Sequence, residues 1–285
     1  MATVLVTGAA SGIGRATAIR LADRGHRVLG LDVDVDGLGS LPGMIETHLG
    51  DVTDEARARE VVPADLDVLV NCAATYELGA VEDTDWDTVE EQFRVNVFGT
   101  LAVTRAALPT LRENGGRVVT LSSVLGRVSL PLHGVYAGTK HALEGVFDAL
   151  RAEQDAVDVV LVEPGAVDTG LNERAKAGLS GGSGESAHRA LSDRVRDRYD
   201  PGGVPPDQVA RVVVDAVESP SPAARYPVTT QARVLLACRT LLPTPVYDRV
   251  ALARVRNPSA ARAAVDLAAG VVADLGRAAL ARVRS

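Results

Sequence analysis

The chain has 285 residues, of which 46% are hydrophobic, 24% are charged and only 3% are aromatic. This hydrophobic fraction excludes an intrinsically disordered chain. The formal net charge of −7 argues against a protein that binds nucleic acid with its whole surface. The sequence contains no run of about 18 uncharged apolar residues, so it predicts no membrane span.

Two residue types are scarce enough for their positions to matter. Only two lysines, Lys140 and Lys176, stand among the 30 basic residues, so a lysine inside a motif is informative. The two cysteines, Cys72 and Cys238, match no metal or redox spacing and predict free thiols in a reducing compartment. Because the cysteines match no metal spacing, we predict no metal site. No charged leader stands before the first apolar run, so we expect a cytoplasmic protein.

Short apolar runs alternate with helical patterns along the first two-thirds of the chain. Runs that are apolar throughout are typical of strands buried on both faces of a parallel sheet. We predict six strands, at Thr3–Thr7, Arg27–Asp32, Met44–Leu49, Leu66–Asn71, Gly116–Ser122 and Val157–Glu163. Helices are predicted at Ile13–Arg24, Asp85–Arg112, Tyr136–Glu153 and Gln208–Glu218, with a last strand within Ala224–Thr230. The alternation predicts an α/β fold, a three-layer, doubly wound parallel sheet of the Rossmann-like kind.

The sequence divides into one large domain and a tail. We predict a dinucleotide-binding and catalytic domain over residues 1–230, in which residues 171–205 form an insertion that covers the substrate. This insertion contains the loop Gly178–Gly184 and follows the sixth strand, where an open α/β sheet places its ligand crevice. A surface loop without a role is the alternative. Residues 231–285 are expected to form a helical extension packed on the same domain.

The tail differs in charge from the rest of the chain. From Arg249 to Ser285 it has seven arginines and two aspartates, a net charge of +5, which leaves −12 on the other residues. Apolar residues from Ser259 onward recur at steps of three and four, which is typical of an amphipathic helix. We expect this helix to pack on its own domain or on a second subunit, and peripheral association with a membrane is the alternative.

A glycine-rich turn follows the first predicted strand and opens the first predicted helix. It reads Thr7-Gly8-Ala9-Ala10-Ser11-Gly12-Ile13-Gly14. The first glycine suits a tight turn, the second lets the backbone approach a pyrophosphate, and the third permits close packing of helix on strand. The N-terminus of the helix offers unpaired N–H groups and a positive dipole end to an anion. We therefore predict that this turn binds the phosphates of a dinucleotide.

An aspartate at the end of the second predicted strand indicates which dinucleotide. Asp32 stands 18 residues after Gly14. Its carboxylate is placed to accept hydrogen bonds from the adenosine ribose and to repel a 2′-phosphate. Together with the non-basic Ser11, this favours NAD as the cofactor, while Arg15 on the first helical turn leaves NADP possible.

A serine, a tyrosine and a lysine have the spacing of an acid–base site. The pair Ser122-Ser123 stands at the end of the fifth predicted strand, Tyr136 follows thirteen residues after Ser123, and Lys140 comes four residues after that. Positions i and i+4 share one face of a helix, so the phenol and the ammonium group can act together. A nearby cation lowers the pKa of a phenol, which is about 10 in water, towards neutrality. Ser123 is placed to stabilise charge on a substrate oxygen.

With these motifs, the sequence resembles the short-chain dehydrogenase/reductase family over about residues 3–230. The family's glycine turn matches Thr7, Gly8, Gly12 and Gly14. Its remaining elements, in chain order, match Asp51-Val52, Asn71-Cys72-Ala73-Ala74, Asn96, Ser123, Tyr136 with Lys140, and the segment Pro164, Gly165, Val167 and Thr169. One departure is that NCAA replaces the family's NNAG, which removes one amide side chain and one glycine.

The resemblance implies a catalytic tetrad of Asn96, Ser123, Tyr136 and Lys140. In such enzymes the tyrosine is the acid/base, the serine orients the carbonyl, the lysine binds the nicotinamide ribose, and the asparagine holds a water of the proton relay. Thr169 would contact the carboxamide of the cofactor. The other matched residues outside the tetrad would also bind the cofactor, and they are Asp51, Val52, Asn71, Ala73, Pro164, Gly165 and Val167.

We therefore predict an NAD(P)-dependent oxidoreductase that transfers a hydride between the nicotinamide and an alcohol or carbonyl substrate. Arg225-Tyr226-Pro227 and the apolar segment Leu235–Leu242 resemble family members that act on bulky apolar alcohols, which favours a hydrophobic secondary alcohol or ketone. His133 either lines the substrate pocket or lies in an exposed loop. Related enzymes form dimers or tetramers through the helices expected at residues 85–112 and 136–153, so a homodimer or homotetramer is expected.

Two other functions compete with this hypothesis. A catalytically idle dinucleotide-binding protein that senses redox state or scaffolds partners would need no tetrad. A sugar-nucleotide epimerase or dehydratase usually spaces its glycines as GxxGxxG, whereas this turn has the spacing GxxxGxG.

Overall fold

The computed structural model describes residues 1–171, 175, 179, 187–198 and 203–256. The amphipathic segment from Ser259 onward, and all of the loop Gly178–Gly184 except Leu179, lie outside the described residues. The strands are β1 (Thr3–Thr7), β2 (Arg27–Asp32), β3 (Ile45–Leu49), β4 (Val68–Asn71), β5 (Arg117–Leu121), β6 (Asp158–Glu163) and β7 (Arg225–Pro227). The helices are α1 (Gly12–Asp23), α2 (Val35–Gly39), α3 (Glu55–Val61), α4 (Trp86–Phe93), α5 (Thr100–Asn114), α6 (Gly134–Glu153), α7 (Arg189–Arg198), α8 (Pro206–Glu218), α9 (Thr230–Leu241) and α10 (Thr244–Arg256).

The seven strands form one sheet in the order β3-β2-β1-β4-β5-β6-β7, and every neighbouring pair is parallel. The chain moves outward from β1 to β3 and then returns to the other side of β1 with β4. This reversal separates the loops that follow β1 and β4 and opens a crevice at the carboxyl edge of the sheet. The predicted doubly wound α/β fold is confirmed.

The sheet is covered on both faces, which explains its continuous apolar runs. Successive side chains of a strand point to opposite faces. Val4 and Val6 accordingly join a cluster with α1 and α8, whereas Leu5, between them, joins a cluster with α5 and α6. Hydrophobic burial on both sides makes β1 the centre of a three-layer structure.

A third apolar cluster lies apart from these two and surrounds Tyr136. It is built from the segments that follow β4 and β5, from α9 and from α10. Leu235 of α9 and Tyr247 of α10 are both buried in it, and the Tyr247 hydroxyl donates to the Ser129 carbonyl oxygen at 3.2 Å. The first two helices after β7 therefore pack beside the residue predicted to be the acid/base.

The predicted helix Asp85–Arg112 is interrupted in the structure. A π-helical stretch, Arg94–Gly99, separates α4 from α5 and contains Asn96. Such widened turns occur often at functional sites because they turn one side chain out of the regular helical register. The short helices α2 and α3 were not predicted, since neither has enough turns to show a hydrophobic period. No helix in the described part of the chain is long and apolar enough to span a membrane.

Candidate active site

A groove of about 340 Å³ runs along the carboxyl ends of the central strands, at the point where the strand order reverses. Ligands of open α/β sheets bind in this position. Ten of the predicted cofactor-binding residues line the groove, namely Gly8, Ser11, Gly12, Ile13, Gly14, Asp32, Asp51, Val52, Ala73 and Thr169. The structure thus brings together residues from five separate segments of the sequence.

The glycine turn lies so close to neighbouring backbone that side chains are excluded. Gly8 has φ +68°, and a Cβ atom there would lie 2.8 Å from the Ala73 backbone. A Cβ atom on Gly14 would lie 2.0 Å from the carbonyl oxygen of Gly8. Because both residues lack a side chain, the first turn of α1 can lie against the ends of β1 and β4, where its N–H groups border the groove.

Thr7 joins the glycine turn to the segment that follows β4. Its hydroxyl oxygen accepts hydrogen bonds from the amides of Cys72 at 3.1 Å and Ala73 at 3.2 Å. Desolvation raises the pKa of the Cys72 thiol to about 12, so the thiol is neutral in the groove wall. The NCAA departure from the family pattern therefore adds no charge to the groove.

The carboxylate of Asp32 is held at the end of β2 by the backbone. It accepts hydrogen bonds from the amide of Ala10 at 2.9 Å and from the amide of Asp34 at 3.0 Å. The guanidinium of Arg15 is directed elsewhere and donates to the Ser40 hydroxyl at 2.8 Å and the Ser40 carbonyl at 2.9 Å. The only charge that this pair presents to the groove lining is therefore the carboxylate of Asp32.

A second acidic residue, Asp51, lines the same end of the groove. Burial raises its pKa, but the amide and hydroxyl of Thr53 and the guanidinium of Arg94 outweigh burial and hold the pKa below its usual value. Arg94 also forms a salt bridge with Glu91, whose side chain borders the groove. Asp51 is therefore ionised at neutral pH.

Tyr136 and Lys140 lie one turn apart on α6 and are both buried, with 9% and 2% of their surface exposed. The Lys140 Nζ atom is 5.7 Å from the centre of the Tyr136 ring and donates to the carbonyl oxygen of Leu121 at 2.9 Å. Burial lowers the pKa of Lys140 to about 8. The ammonium group is thus held near the phenol by the last residue of β5.

The other two residues of the predicted tetrad are held by nearby backbone. Ser123 follows β5, and its hydroxyl oxygen accepts a hydrogen bond from the amide of Leu125 at 3.1 Å. Asn96, fully buried, accepts from the Thr75 amide at 2.7 Å and donates to the Thr75 carbonyl at 2.8 Å. Its amide also donates to the Thr139 hydroxyl, which ties the π-helical stretch to α6.

Not every predicted cofactor residue borders the groove with its side chain. The amide of Asn71 is buried and donates to the hydroxyls of Thr104 and Thr120, between β4, β5 and α5. The Pro164 carbonyl accepts from the Val124 amide at 2.8 Å, and Gly165 lies against Thr229, the residue that caps α9. These positions support the edge of the sheet, and Val167 is buried beside them.

Sequence reasoning missed several residues that line the groove, including Leu31, Val33, Gly50, Glu91 and Val95. Gly50 immediately precedes Asp51, and this adjacency is a signal that could have been used. Glu91 faces the groove because of where α4 lies, which no local pattern reveals. Tyr76, which contacts the ring of Tyr136, was also missed.

The structure decides between the two interpretations of His133. The side chain is 2% exposed, so the exposed-loop alternative is wrong. Its Nδ1 atom lies 2.7 Å from the Pro131 carbonyl oxygen, and burial lowers its pKa to about 4, so the ring is neutral and donates through Nδ1. In the part of the chain that the structure covers, His, Cys, Asp and Glu form no group of three that could hold a metal ion.

The groove suits a nicotinamide dinucleotide on the evidence of its own geometry. The first turn of α1 at Gly12–Gly14 would hold the pyrophosphate through its unpaired N–H groups. The turn keeps its place because Gly8 and Gly14 have no side chains that would displace it. The carboxylate of Asp32 would accept the ribose hydroxyls. Thr169, beside Gly12, also lines the groove, whereas the four residues of the predicted tetrad are not part of its lining.

Comparison with known proteins gives the same picture. The family model described as short chain dehydrogenase matches residues 2–179. Dehydrogenase/reductase SDR family member 7B of Xenopus laevis is 33% identical over 238 residues, which cover 76% of this chain and 71% of the relative. An NADPH-dependent 3-dehydrocapnine reductase of Ornithobacterium rhinotracheale is 29% identical over 271 residues, which cover 88% of this chain and 96% of the relative.

A solved structure is similar along most of its length. The short chain dehydrogenase of Mycobacterium paratuberculosis bound to NAD superimposes with a TM-score of 0.67 at 25% identity and covers 80% of this chain and 96% of that one.

Proposed function

Because the chain belongs to the short-chain dehydrogenase/reductase family and is an NAD(P)-dependent oxidoreductase, we propose that Asn96, Ser123, Tyr136 and Lys140 are its catalytic residues. Enzymes of this family act on alcohol and carbonyl groups. The observation that carries the assignment is the burial of Tyr136 and Lys140 side by side on α6, next to the end of β5 that bears Ser123. An idle binding protein would need no such arrangement.

Each residue of the tetrad has a chemical task that its surroundings allow. The bound nicotinamide supplies or takes up the hydride. The Tyr136 hydroxyl gives a proton to the carbonyl oxygen in reduction and takes it back in oxidation. Ser123, whose oxygen already accepts from the Leu125 amide, donates a hydrogen bond to the same carbonyl oxygen and keeps its proton. The Lys140 ammonium stabilises the phenolate form of Tyr136.

Replacing Tyr136 by Phe tests this assignment. We expect Tyr136→Phe to reduce kcat by about 10²–10⁴-fold, because the proton donor is lost while the ring and its packing remain. Turnover is followed through the absorbance of the reduced nicotinamide with a panel of ketones and secondary alcohols, and cofactor binding is followed by titration. Cofactor affinity should stay within about twofold, since the exchange removes a single hydroxyl.

Tyr226→Phe is the matched control. It removes another hydroxyl, one that accepts from the Ala223 amide at a distance from the groove. We expect this variant to keep wild-type turnover. Full activity in Tyr136→Phe would contradict the assignment, and a wild-type protein that binds the cofactor but converts no alcohol or carbonyl would contradict the proposed reaction.

We further propose that NAD is the preferred cofactor, although a relative is named NADPH-dependent. Asp32 supports this proposal, since a 2′-phosphate would meet its carboxylate, and the nearby Arg15 is bound to Ser40. We expect titration of the wild-type protein to show tighter binding of NADH than of NADPH. Asp32→Asn should reduce the difference by about tenfold, equivalent to about 1.4 kcal/mol. Asp34→Asn, an exposed neighbour, is the control, and tighter NADPH binding by the wild type would refute the preference.

We propose a hydrophobic substrate, because apolar residues of the third cluster surround Tyr136.

A homodimer or homotetramer is proposed as well, supported by the exposed Trp86 and Phe98 at the two ends of α4 and its π-helical continuation. A monomeric mass in solution would contradict it. We propose the cytoplasm as the location. The predicted packing of the C-terminal extension on the catalytic domain is supported for residues 231–256 by the contacts of α9 and α10, and the rest of the extension lies outside the described residues.

A further inference from the structure

The segment that follows β4 is fixed to its neighbours at several points. Asn96 holds both the amide and the carbonyl of Thr75, at 2.7 and 2.8 Å. Four residues later, the Gly79 amide donates to the carbonyl oxygen of Leu132 at 2.9 Å. Tyr76 lies between these two anchors, so its backbone is held on both sides and its side chain projects from a defined place.

The ring of Tyr76 lies directly against the ring of Tyr136. The two ring centres are 4.3 Å apart and the planes are inclined by 47°, which is a close contact for an aromatic pair. Only 6% of the surface of Tyr76 is exposed. The ring of His133 lies near as well, with ring centres 6.2 Å apart, and it is also buried. Tyr76 is therefore a buried residue in contact with the proposed acid/base and close to a neutral imidazole.

We propose that Tyr76 determines substrate specificity by forming the side wall of the pocket beside the Tyr136 hydroxyl. This inference rests on the proposed function. A carbonyl group that reaches Tyr136 must bring its substituent close to the Tyr76 ring, which the anchored backbone prevents from moving aside. Ketones with a flat aryl or an unbranched alkyl substituent should therefore be good substrates. Ketones with a tertiary substituent next to the carbonyl should be poor ones.

The physical reason is the shape of the aromatic face. A flat substituent can pack on the ring of Tyr76 and gain an aromatic contact, whereas a tert-butyl group needs space on all sides of the carbon next to the carbonyl. In the reaction, the ketone receives a hydride from the reduced nicotinamide and a proton from Tyr136, and the products are the alcohol and the oxidised cofactor. Tyr76 contributes neither proton nor hydride, so its effect appears in the choice of substrate.

The test compares three methyl ketones whose second substituent is phenyl, n-hexyl or tert-butyl, with NADH and with NADPH. The quantity measured is the ratio of kcat/KM for the phenyl ketone to kcat/KM for the tert-butyl ketone. We expect Tyr76→Ala to lower this ratio at least about tenfold, because removal of the ring opens space for the branched group. Tyr76→Phe should keep the ratio within about threefold of the wild type, since the ring remains.

Two further variants guard against indirect effects. Tyr76→Leu keeps apolar bulk without the aromatic face, so it should fold even where the alanine variant does not, and it should also lower the ratio. Tyr226→Ala removes a tyrosine ring from β7, outside the third cluster, and should leave the ratio unchanged.

The outcomes separate this inference from the proposed function. If the wild type reduces these ketones with no preference for the phenyl over the tert-butyl compound, or if Tyr76→Leu and Tyr76→Ala keep the wild-type ratio, the role of Tyr76 is refuted while the oxidoreductase function stands. A wild-type protein that reduces no ketone and oxidises no secondary alcohol refutes both.

Discussion

Lys140 shows how a single residue can serve activity at the expense of stability. It is one of two lysines in a chain that otherwise uses arginine, and it is 2% exposed. A flexible, compact ammonium group fits beside Tyr136, where the larger planar guanidinium of arginine would not. Its burial removes water from a charged group, and this lowers the pKa from 10.5 to about 8.

The shifted pKa predicts a pH-dependent stability difference between the wild type and Lys140→Met. At pH 7 the lysine is charged in both states, and the folded state bears the full cost of burying it. Between pH 8 and 10.5 the folded state loses its proton first, so this cost disappears as the pH rises. Without cofactor, we expect Lys140→Met to be more stable by about 2–3 kcal/mol at pH 7, after allowing for the lost bond to Leu121.

Chemical denaturation at pH 7, 8.5 and 10 measures this difference. The gap in unfolding free energy should narrow steadily with pH, and turnover by the variant should be lost at every pH. A variant that is less stable than the wild type at pH 7, or a gap that does not change with pH, would contradict the argument. This pattern would show that Lys140 lowers the stability of the fold while it is required for activity.

At the scale of elements, β7 is tied to the sheet by charge as well as by backbone hydrogen bonds. The Arg225 Nε atom lies 3.1 Å from a carboxylate oxygen of Glu144 on α6 and 3.2 Å from one of Glu163 on β6. Both glutamates are buried, and the pKa of Glu163 is raised by burial and by the negative charge of Glu144. The guanidinium of Arg225 therefore pairs with two buried carboxylates, and Glu163 has a second partner in Arg127 at 3.1 Å.

Removing this guanidinium should destabilise the fold markedly. We expect Arg225→Met to lower the unfolding free energy by about 3 kcal/mol at pH 7, because the buried carboxylates of Glu144 and Glu163 lose a charged partner. The loss should shrink at pH 5, where Glu163 takes up a proton more readily. Thermal and chemical unfolding at both pH values measure the effect.

Arg27→Met is the control for loss of an arginine ion pair on the surface. Arg27 pairs with Glu46 and Asp65, and all three side chains are about half exposed or more. Such pairs contribute about 0–1 kcal/mol, so the control should change little. Equal losses in the two variants would show that Arg225 has no special role in joining β7, α6 and β6.

The π-helical stretch between α4 and α5 illustrates what a sequence period hides. A single helix over Asp85–Arg112 was predicted, because the apolar spacing continues through the interruption. In the structure, Arg94–Gly99 widens, and Asn96 enters the buried space between Thr75 and Thr139. The bonds that favour this widening come from distant residues, so the local pattern could not reveal it.

At the scale of the whole molecule, the fold brings six distant segments to one groove. The central strands were predictable because they are apolar on both faces, and β1 and β2 have the predicted bounds. The ends of the other strands differ from prediction by one to three residues, because hydrogen bonding and not composition determines where a strand begins and ends. The order β3-β2-β1-β4-β5-β6-β7 then makes the loops after β1 and β4 diverge at the groove.

By itself, the sequence determined the family, the doubly wound fold, the glycine turn and the chemistry available from Tyr136 and Lys140. These are local signals, since a positive φ at Gly8 or a four-residue helical step depends on adjacent residues alone. Only the tertiary structure decided that His133 is buried and neutral, that Asn96 clamps Thr75, and that Tyr76 lies against Tyr136. Burial and contact depend on residues far apart in the chain, and they exist only once the sheet has brought those residues together.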